Sequence, residues 1–236
     1  MRRALHILST ALITAGIVIL VDVVMTLVWQ EPLSTVYGSI QQGRADDSLD
    51  ELEQSFLARD DVEPLRRRPT DEAAAEPSPA EQKRLVARAQ GLARIFSEEV
   101  DTGEGIGKLE IPSIGVDSVI VEGTDTATLQ KGPGRYPETA FPGQGRTIGI
   151  AGHRTTYGAP FRKINEIADG EEIVVEMPYA TFTYEVQKHE IVDPSQVEIV
   201  RDVGYERLVL TACHPLYSAA QRWAVFAKVE TVEPPA

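Results

Sequence analysis

The stretch Leu208–Phe226 reads LVLTACHPLYSAAQRWAVF and contains two apolar runs that are separated by a polar loop. Both runs are rich in β-branched, aromatic and other apolar residues, which predicts two strands of one hairpin. The first run ends at Cys213 and the second begins at Arg222. In a hairpin these two residues lie at the same end of the sheet. The eight-residue loop between them is longer than a tight turn, so it can form a wall beside a site.

Short runs of the same character fill the chain from residue 101 to residue 236. Turn residues separate segments such as RTIGIAGH, EEIVVEM and TFTYEVQKHEIV. Within the last of these, Phe182, Tyr184 and Val186 alternate on one face of a predicted strand. About eight strands of this kind predict an all-β fold, a closed eight-stranded β-barrel with short helices, over residues 101–236.

The N-terminal segment has a different composition. Arg2 and Arg3 precede a long apolar run, from about Leu5 to Trp29, in which Asp22 is the only charged residue. At about 1.5 Å per residue in a helix, a run of this length can cross a bilayer. No clear cleavage site of a signal peptide follows it. We therefore expect residues 1–30 to form a retained transmembrane anchor, with a cytoplasmic N-terminus and the rest of the chain outside the cell.

Two segments connect this anchor to the predicted barrel. Residues 31–77 are polar, with acidic stretches and the proline- and alanine-rich run RPTDEAAAEPSP, which predicts a flexible stalk. Residues 78–100 predict an amphipathic helix that Ser78 caps, with Glu81 completing a capping box. We expect its apolar face to pack on the barrel, with contact to a membrane or a partner as the alternative; this face comprises Leu85, Ala89, Leu92 and Phe96.

Composition excludes several classes of function. The 236-residue chain has a formal net charge of −13, which argues against binding to the phosphate backbone of nucleic acids. The glycine-rich pieces GEGIG and GQGRTIG lack the strand–loop–helix context of phosphate-binding loops, and we interpret them as turns. Acidic residues such as Glu171 and Glu172 are present, but nothing in the sequence brings them together. The sequence therefore predicts no metal and no cofactor.

Cys213 is the only cysteine of the chain. It cannot form an internal disulfide, so it is either a buried packing residue or a reactive thiol. A nucleophilic cysteine needs thiolate character, a proton donor for the leaving group and a donor for the developing oxyanion. Because cations lower the pKa of a thiol, Arg222 is a candidate partner. An arginine on the edge of a sheet, without a catalytic role, is the alternative.

Two histidines are candidates for the proton donor. His153 ends the apolar strand TIGIAGH and begins the polar loop RTTYGAPF, a common place for a functional residue. His214 is adjacent to Cys213, so in a continuing strand its side chain points to the opposite face. Pro215 can end the strand early, which weakens that objection. The spacing favours His153 and leaves His214 open.

Taken together, these segments resemble the sortase family, and most of all the class E sortases of actinobacteria. The resemblance is carried by LVLTACHP, by the arginine of SAAQRWAVF, and by LQKGPGRYPETAFPGQGRTIGIAGHRT with its continuation TYGAPF, and it covers about Gly105 to Val232. It implies the sortase barrel, with a cysteine nucleophile, a histidine acid/base and a stabilising arginine at Cys213, His153 and Arg222. Neighbouring residues are further candidates for contacting the substrate: Thr211, Ala212, His214, Tyr157 and Tyr217.

The resemblance also implies an activity. Sortases are cysteine transpeptidases that cleave a C-terminal sorting signal, of the Leu-Pro-x-Thr-Gly or Leu-Ala-x-Thr-Gly type, between Thr and Gly through a cysteine thioester. The acyl group then passes to an amine of a peptidoglycan precursor that resembles lipid II, or to a pilin lysine. The expected partners are exported proteins with a sorting signal, and the expected location is the cell membrane of a Gram-positive bacterium, facing outward.

Two alternatives remain at this point. One is a cysteine peptidase, a hydrolase that uses the same Cys213–His153 pair with water as the acceptor. The other is an anchored β domain without catalytic activity, in which Cys213 only packs.

Overall fold

The structure is a computed structural model that describes residues 2–29, 32–62 and 78–235. Within these ranges the helices are α1 (Arg2–Trp29), α2 (Pro32–Leu57), α3 (Pro79–Phe96) and the short α4 (Thr126–Leu129). The strands are β1 (Gly105–Ile111), β2 (Val116–Glu122), β3 (Gly134–Arg135), β4 (Thr147–Gly152), β5 (Glu172–Met177), β6 (Ala180–Val192), β7 (Arg207–His214) and β8 (Gln221–Glu233). Single 3-10 turns lie at Pro112–Ile114, Ile164–Glu166 and Val197–Val200.

The strands form a closed barrel in the order β1-β2-β3-β4-β7-β8-β6-β5, which confirms the predicted fold class. Most neighbouring strands are antiparallel, but the short β3 pairs in parallel with β2, and β4 pairs in parallel with β7. A parallel pair requires a crossover connection, and here the chain passes through β5 and β6 before it returns beside β4. The carboxyl ends of β4 and β7 therefore meet at one rim of the barrel, where β8 begins.

Strand alternation divides the side chains of β7 between the barrel interior and its outer surface. Leu208, Leu210 and Ala212 lie in the main hydrophobic core, whereas Val209 belongs to a separate cluster that the loop between β6 and β7 covers. Because successive side chains of a strand point to opposite faces, Cys213 lies on the outer face of the sheet.

Helix α2 occupies part of the segment 31–77, which the sequence predicts to be a flexible stalk. It packs along β1 and β2, and its buried residues recur at the three- and four-residue spacing of one helix face. Their apolar pattern is sparse and is interrupted by charged residues, which explains why composition alone indicated a linker. Residues 63–77 of the predicted stalk lie outside the described residues. The buried face of α2 comprises Ala45, Leu49, Leu52 and Phe56.

Helix α3 has the predicted position and the predicted cap. Ser78 and Glu81 form a capping box at its start, and Ala89, Leu92 and Phe96 are buried in the main core. This helix therefore packs on the barrel, as the sequence predicts.

Helix α1 exposes apolar side chains, among them Ile7, Leu12 and Ile17. In the ranges that the structure describes, no helix is both long enough and apolar enough to span a bilayer. The anchor over residues 1–30 therefore stays a prediction.

A buried ion pair joins the ends of β2 and β3. Glu122 and Arg135 are register partners, and the Arg135 guanidinium donates to both Glu122 carboxylate oxygens at 2.7 and 2.6 Å. Only 6% of the Arg135 side chain and 9% of the Glu122 side chain are exposed. Each charge therefore depends on the other for compensation.

We expect Glu122→Ala to destabilise the folded chain by about 3–5 kcal/mol, because it leaves the Arg135 charge buried and unpaired. Urea unfolding, followed by tryptophan fluorescence, measures this change. Glu190→Ala is the control, since it removes an exposed pair with Lys188 and should cost less than about 1 kcal/mol. Equal losses in the two variants would contradict this interpretation.

Candidate active site

The three residues that the sequence singles out meet at the rim where β4 and β7 end. Gly152, the last residue of β4, pairs with Ala212 of β7, so the next residues along the two chains, His153 and Cys213, lie side by side. Cys213 is also directly opposite Arg222 in the antiparallel pair of β7 and β8. Directly opposed residues of such a pair have Cβ atoms about 4.5–5.5 Å apart. The backbone at this rim therefore brings close together the residues that carry an imidazole, a thiol and a guanidinium.

The outer face of β4 next to this rim is built from small residues. Ile148 and Ile150 point into the core, so Gly149 and Ala151 lie on the outer face, like Cys213. A Cβ at Gly149 would come within 3.0 Å of the Val200 side chain, which places the β6–β7 loop against this face. These small residues form a floor on which Tyr136 and the β6–β7 loop pack closely.

Cys213 is half-buried at the end of this floor. Thr211 lies two residues earlier, on the same face of β7. It is buried, and its Oγ1 lies 2.9 Å from the Tyr136 hydroxyl oxygen. Ala212 lies between Thr211 and Cys213 in sequence, but its side chain is in the barrel core. Strand alternation thus turns the Ala212 side chain away from the face that carries Cys213. The predicted contact of Ala212 with the substrate stays a prediction.

The imidazole of His153 is partly buried. Burial lowers its pKa below the ordinary value of 6.5, because removal from water disfavours the charged ring. Its ring centre lies 5.0 Å from that of Tyr157, and its Nε2 has no hydrogen-bond partner among the described residues. A neutral ring with a free nitrogen can accept the thiol proton of a neighbouring cysteine.

His214 faces away from the thiol. Strand β7 continues through His214, so Pro215 does not end the strand before it, and the ring packs 5.4 Å from that of Trp223. Its Nδ1 lies 3.1 Å from the Arg154 guanidinium. Of the two histidines that the sequence leaves open, this arrangement favours His153 as the partner of Cys213 and gives His214 no contact with the outer face.

Arg222 is fixed by the loop between β7 and β8. Its guanidinium donates to the carbonyl oxygens of Ala219 at 2.9 Å and of Gln221 at 3.0 Å. No carboxylate of the described chain forms an ion pair with it. The charge is therefore oriented but not neutralised, as a donor to an oxyanion needs to be.

The two candidate tyrosines lie on the loops around the rim. Tyr217, on the β7–β8 loop, is 63% exposed, and its hydroxyl accepts a hydrogen bond from Arg162 at 3.0 Å. Tyr157 packs on His153, and its backbone N–H donates to the Ser34 hydroxyl at 3.4 Å. The start of α2 thus supports the loop that covers His153, a connection that the sequence does not reveal.

Arg154 is a site residue that sequence reasoning missed. Only 6% of it is exposed, and its guanidinium donates to the Cys213 carbonyl oxygen at 3.2 Å. Its position directly after His153 is visible in the sequence. Its burial is not, because arginines are mostly exposed.

We predict that His153 titrates below pH 6.5, the ordinary value, because burial disfavours the imidazolium. In Tyr157→Ala the His153 ring loses the side chain that packs on it, so the midpoint of its titration should rise toward 6.5. The histidine resonances in NMR spectra, recorded from pH 4 to pH 9, measure both midpoints. A wild-type midpoint at or above 6.5 would contradict the burial that is described here.

The same shift has a consequence for folding stability. The unfolded chain binds the proton more readily than the folded chain, so stability falls as the pH drops from 6.5 through the lower pKa of the folded state. His153→Gln should weaken this pH dependence in urea unfolding experiments. An unchanged slope in that variant would show that His153 is not the group responsible.

Comparisons with known proteins agree with this geometry. Residues 109–230 match the sortase domain family. The chain is 36% identical over 132 residues to sortase D of Bacillus subtilis, covering 54% of this chain and 65% of that protein. It is 33% identical over 150 residues to sortase E1 of Streptomyces coelicolor, covering 57% of this chain and 43% of that protein. The chain thus spans less than two thirds of the length of either relative.

Solved structures show the same likeness. A crystal structure of Streptomyces coelicolor sortase E1 with a tripeptide in the active site has a TM-score of 0.54 and 32% identity, over 56% of this chain and 91% of that one. A sortase D5 transpeptidase of Clostridium perfringens has a TM-score of 0.54 and 27% identity, over 64% of this chain and 94% of that one. With the barrel, the rim and the family match in agreement, the chain belongs to the sortase family of cysteine transpeptidases.

Proposed function

We propose that the chain is a membrane-anchored sortase that cleaves a C-terminal sorting signal between Thr and Gly and transfers the exported protein to an amine. One observation carries the proposal: the ends of β4 and β7 and the start of β8 place His153, Cys213 and Arg222 at one rim. The residue roles that follow are part of the proposal.

The chemistry follows from the functional groups that these three residues carry. His153 takes the proton of the Cys213 thiol, and the thiolate attacks the carbonyl carbon of the scissile Thr–Gly bond. The guanidinium of Arg222 donates to the oxyanion of the tetrahedral intermediate. The imidazolium then gives its proton to the departing glycine amine, which leaves a thioester on the sulfur. An incoming amine attacks this thioester, His153 takes a proton from the amine, and the sulfur leaves as a thiolate. The proton then passes from His153 back to the sulfur, which restores the thiol and the neutral imidazole.

The sorting signal binds, in this proposal, along the outer face of β4 and β7. The β6–β7 loop exposes the side chains of Val203 and Tyr205, which suit apolar residues of a peptide. Thr211, whose hydroxyl is hydrogen-bonded to that of Tyr136, lies on the floor of this site. Tyr217 borders the site from the β7–β8 loop. A tripeptide occupies the active site of the related sortase E1, which supports a peptide substrate. Signals of the Leu-Pro-x-Thr-Gly and Leu-Ala-x-Thr-Gly types both fit this description.

The acceptor and the location extend the proposal to the cell surface of a Gram-positive bacterium. The acceptor is an amine of a peptidoglycan precursor of the lipid II type or a pilin lysine. The N-terminal apolar run holds the enzyme at the membrane, which raises its local concentration near exported clients. The exposed apolar side chains of α1, such as Ile7 and Leu12, support attachment of this segment to lipid.

Hydrolysis by the same Cys213–His153 pair is the alternative. Water and an amine attack the same thioester, so the reaction product distinguishes the two functions. A sorting peptide is incubated with the enzyme with and without an added amine, and mass spectrometry identifies the product. A new amide supports the transpeptidase, and free acid at every amine concentration supports the peptidase.

We expect Cys213→Ala and His153→Ala each to lower transfer at least about 10³-fold, because the residues of such a unit act together. Arg222→Lys should lower kcat about 10²–10³-fold, because lysine lacks the planar fork that faces the oxyanion. Mass spectrometry of the amide product measures all three rates. Arg94→Lys, on the exposed side of α3, is the matched control and should keep wild-type turnover. Turnover of the same size in Arg222→Lys would make Arg222 a structural residue only.

We predict that the full chain fractionates with membranes and is released by detergent but not by high salt, because apolar burial holds it there. A chain without residues 1–30 should appear in the soluble fraction and keep its activity on a free peptide. Release of the full chain by salt alone would contradict an apolar anchor.

A further inference from the structure

We propose that Arg154 is a positioning residue for the nucleophile: its buried guanidinium binds the backbone of Cys213, fixes the end of β7, and supplies a permanent positive charge behind the residue that carries the thiol. This inference deepens the proposed function and rests on it for the kinetic part of its test. In this proposal Arg222 donates to the bound substrate, whereas Arg154 contacts only protein groups.

The contacts of Arg154 join three separate segments of the chain. It follows His153 at the end of β4, and it binds β7 and the β4–β5 loop at the same time. A guanidinium has five N–H donors in one plane, so a single side chain can hold all of these groups. Its partners are the Cys213 carbonyl oxygen at 3.2 Å, the His214 Nδ1 at 3.1 Å, the Asn165 Oδ1 at 2.5 Å and the Arg162 carbonyl oxygen at 3.4 Å.

The burial of Arg154 is not compensated by an acidic side chain. Only 6% of the residue is exposed, yet no carboxylate of the described residues forms an ion pair with it. A buried charge without a counter-charge destabilises a folded protein. The sulfur of Cys213 belongs to a residue that Arg154 contacts, and as a thiolate it supplies the negative charge that the site otherwise lacks.

The electrostatics of the guanidinium agree with this arrangement. Burial lowers the pKa of Arg154, the charge of Arg162 lowers it further, and the charge of Cys213 raises it. In general, a cation close to a thiol stabilises the thiolate form. Arg162 is bonded to Tyr217 and makes no hydrogen bond to Cys213 in the described structure.

Arg154 also determines the state of His214. A guanidinium can only donate, so the Nδ1 of His214 accepts and the neutral ring carries its proton on Nε2. This bond holds His214 on the face of the strand opposite the thiol, next to Trp223. The second histidine of the rim is thereby kept out of the proton transfers that His153 performs.

The test uses two substitutions that separate the charge of Arg154 from its geometry. Arg154→Gln removes the charge, and Arg154→Lys keeps the charge but not the planar fork. The first measurement is the rate at which iodoacetamide alkylates Cys213 as a function of pH, read by intact-protein mass spectrometry. It needs no substrate, so it reports on Arg154 even if no sorting peptide is ever cleaved.

In Arg154→Gln we expect the midpoint of the alkylation profile to move to higher pH by about one unit or more, as the loss of a neighbouring charge requires. In Arg154→Lys the profile should move less, while kcat for peptide transfer falls more than about tenfold with little change in KM. Arg207→Gln, which removes an arginine at the far end of β7, is the matched control and should leave the alkylation profile in place.

Three outcomes overturn the proposal. An alkylation profile of folded Arg154→Gln that matches the wild type removes the electrostatic part. Wild-type kcat in Arg154→Lys removes the positioning part. An equal shift in Arg207→Gln shows that the effect is not local. If Arg154→Gln does not fold, Arg154→Lys and Asn165→Ala replace it in the test. Asn165→Ala removes one hydrogen bond of the Arg154 guanidinium without changing the charge. Wild-type alkylation and wild-type kcat in both variants would refute the role of Arg154.

Discussion

The parallel pairing of β4 with β7 is the constraint on which the rest of the site depends. Two parallel neighbours end at the same edge of a sheet, so Gly152 beside Ala212 places the next residues of both strands together. Strand β8 then returns antiparallel from a loop and brings Arg222 opposite Cys213. Residues from the ends of three different strands thus meet through the backbone pairing of these strands.

The same strands build the core and the site because their side chains alternate. Leu210 and Ala212 fill the barrel, while Thr211 and Cys213 face outward. The core therefore fixes the depth and orientation of the thiol. Gly152 adds a local requirement, since a Cβ there would approach the Phe161 ring to 2.4 Å. Its absence lets the buried ring pack against the end of β4, just before the chain turns outward at His153.

Much of this architecture is predictable from the sequence, because apolar periodicity and turn residues report directly on strands. The barrel, the capped helix α3 and the strand-end positions of Cys213, His153 and Arg222 follow from such local patterns. Helix α2 was missed because its apolar face is sparse among charged residues and is stabilised by the barrel rather than by its own composition. Periodicity alone also leaves open which face of a strand serves the substrate.

Buried polar contacts are the part that local sequence does not report. The burial of Arg154 arises from β4, β7 and the following loop closing around it. The support of Tyr157 by Ser34 joins residues that are 123 positions apart. Both depend on tertiary packing, which overrides the preference of arginine and serine for the surface. The strand ends that form the rim are therefore predictable from the sequence, whereas the contacts that support them are seen only in the folded structure.

The most direct measurement is a crystal structure of the chain with a peptidyl aldehyde that ends at the threonine of a sorting signal. The account predicts a covalent adduct on the Cys213 sulfur, whose oxygen lies within about 2.7–3.2 Å of the Arg222 guanidinium, with the His153 ring beside the sulfur. An adduct whose oxygen points away from Arg222, with His153 out of hydrogen-bond reach of the reacting atoms, would contradict it.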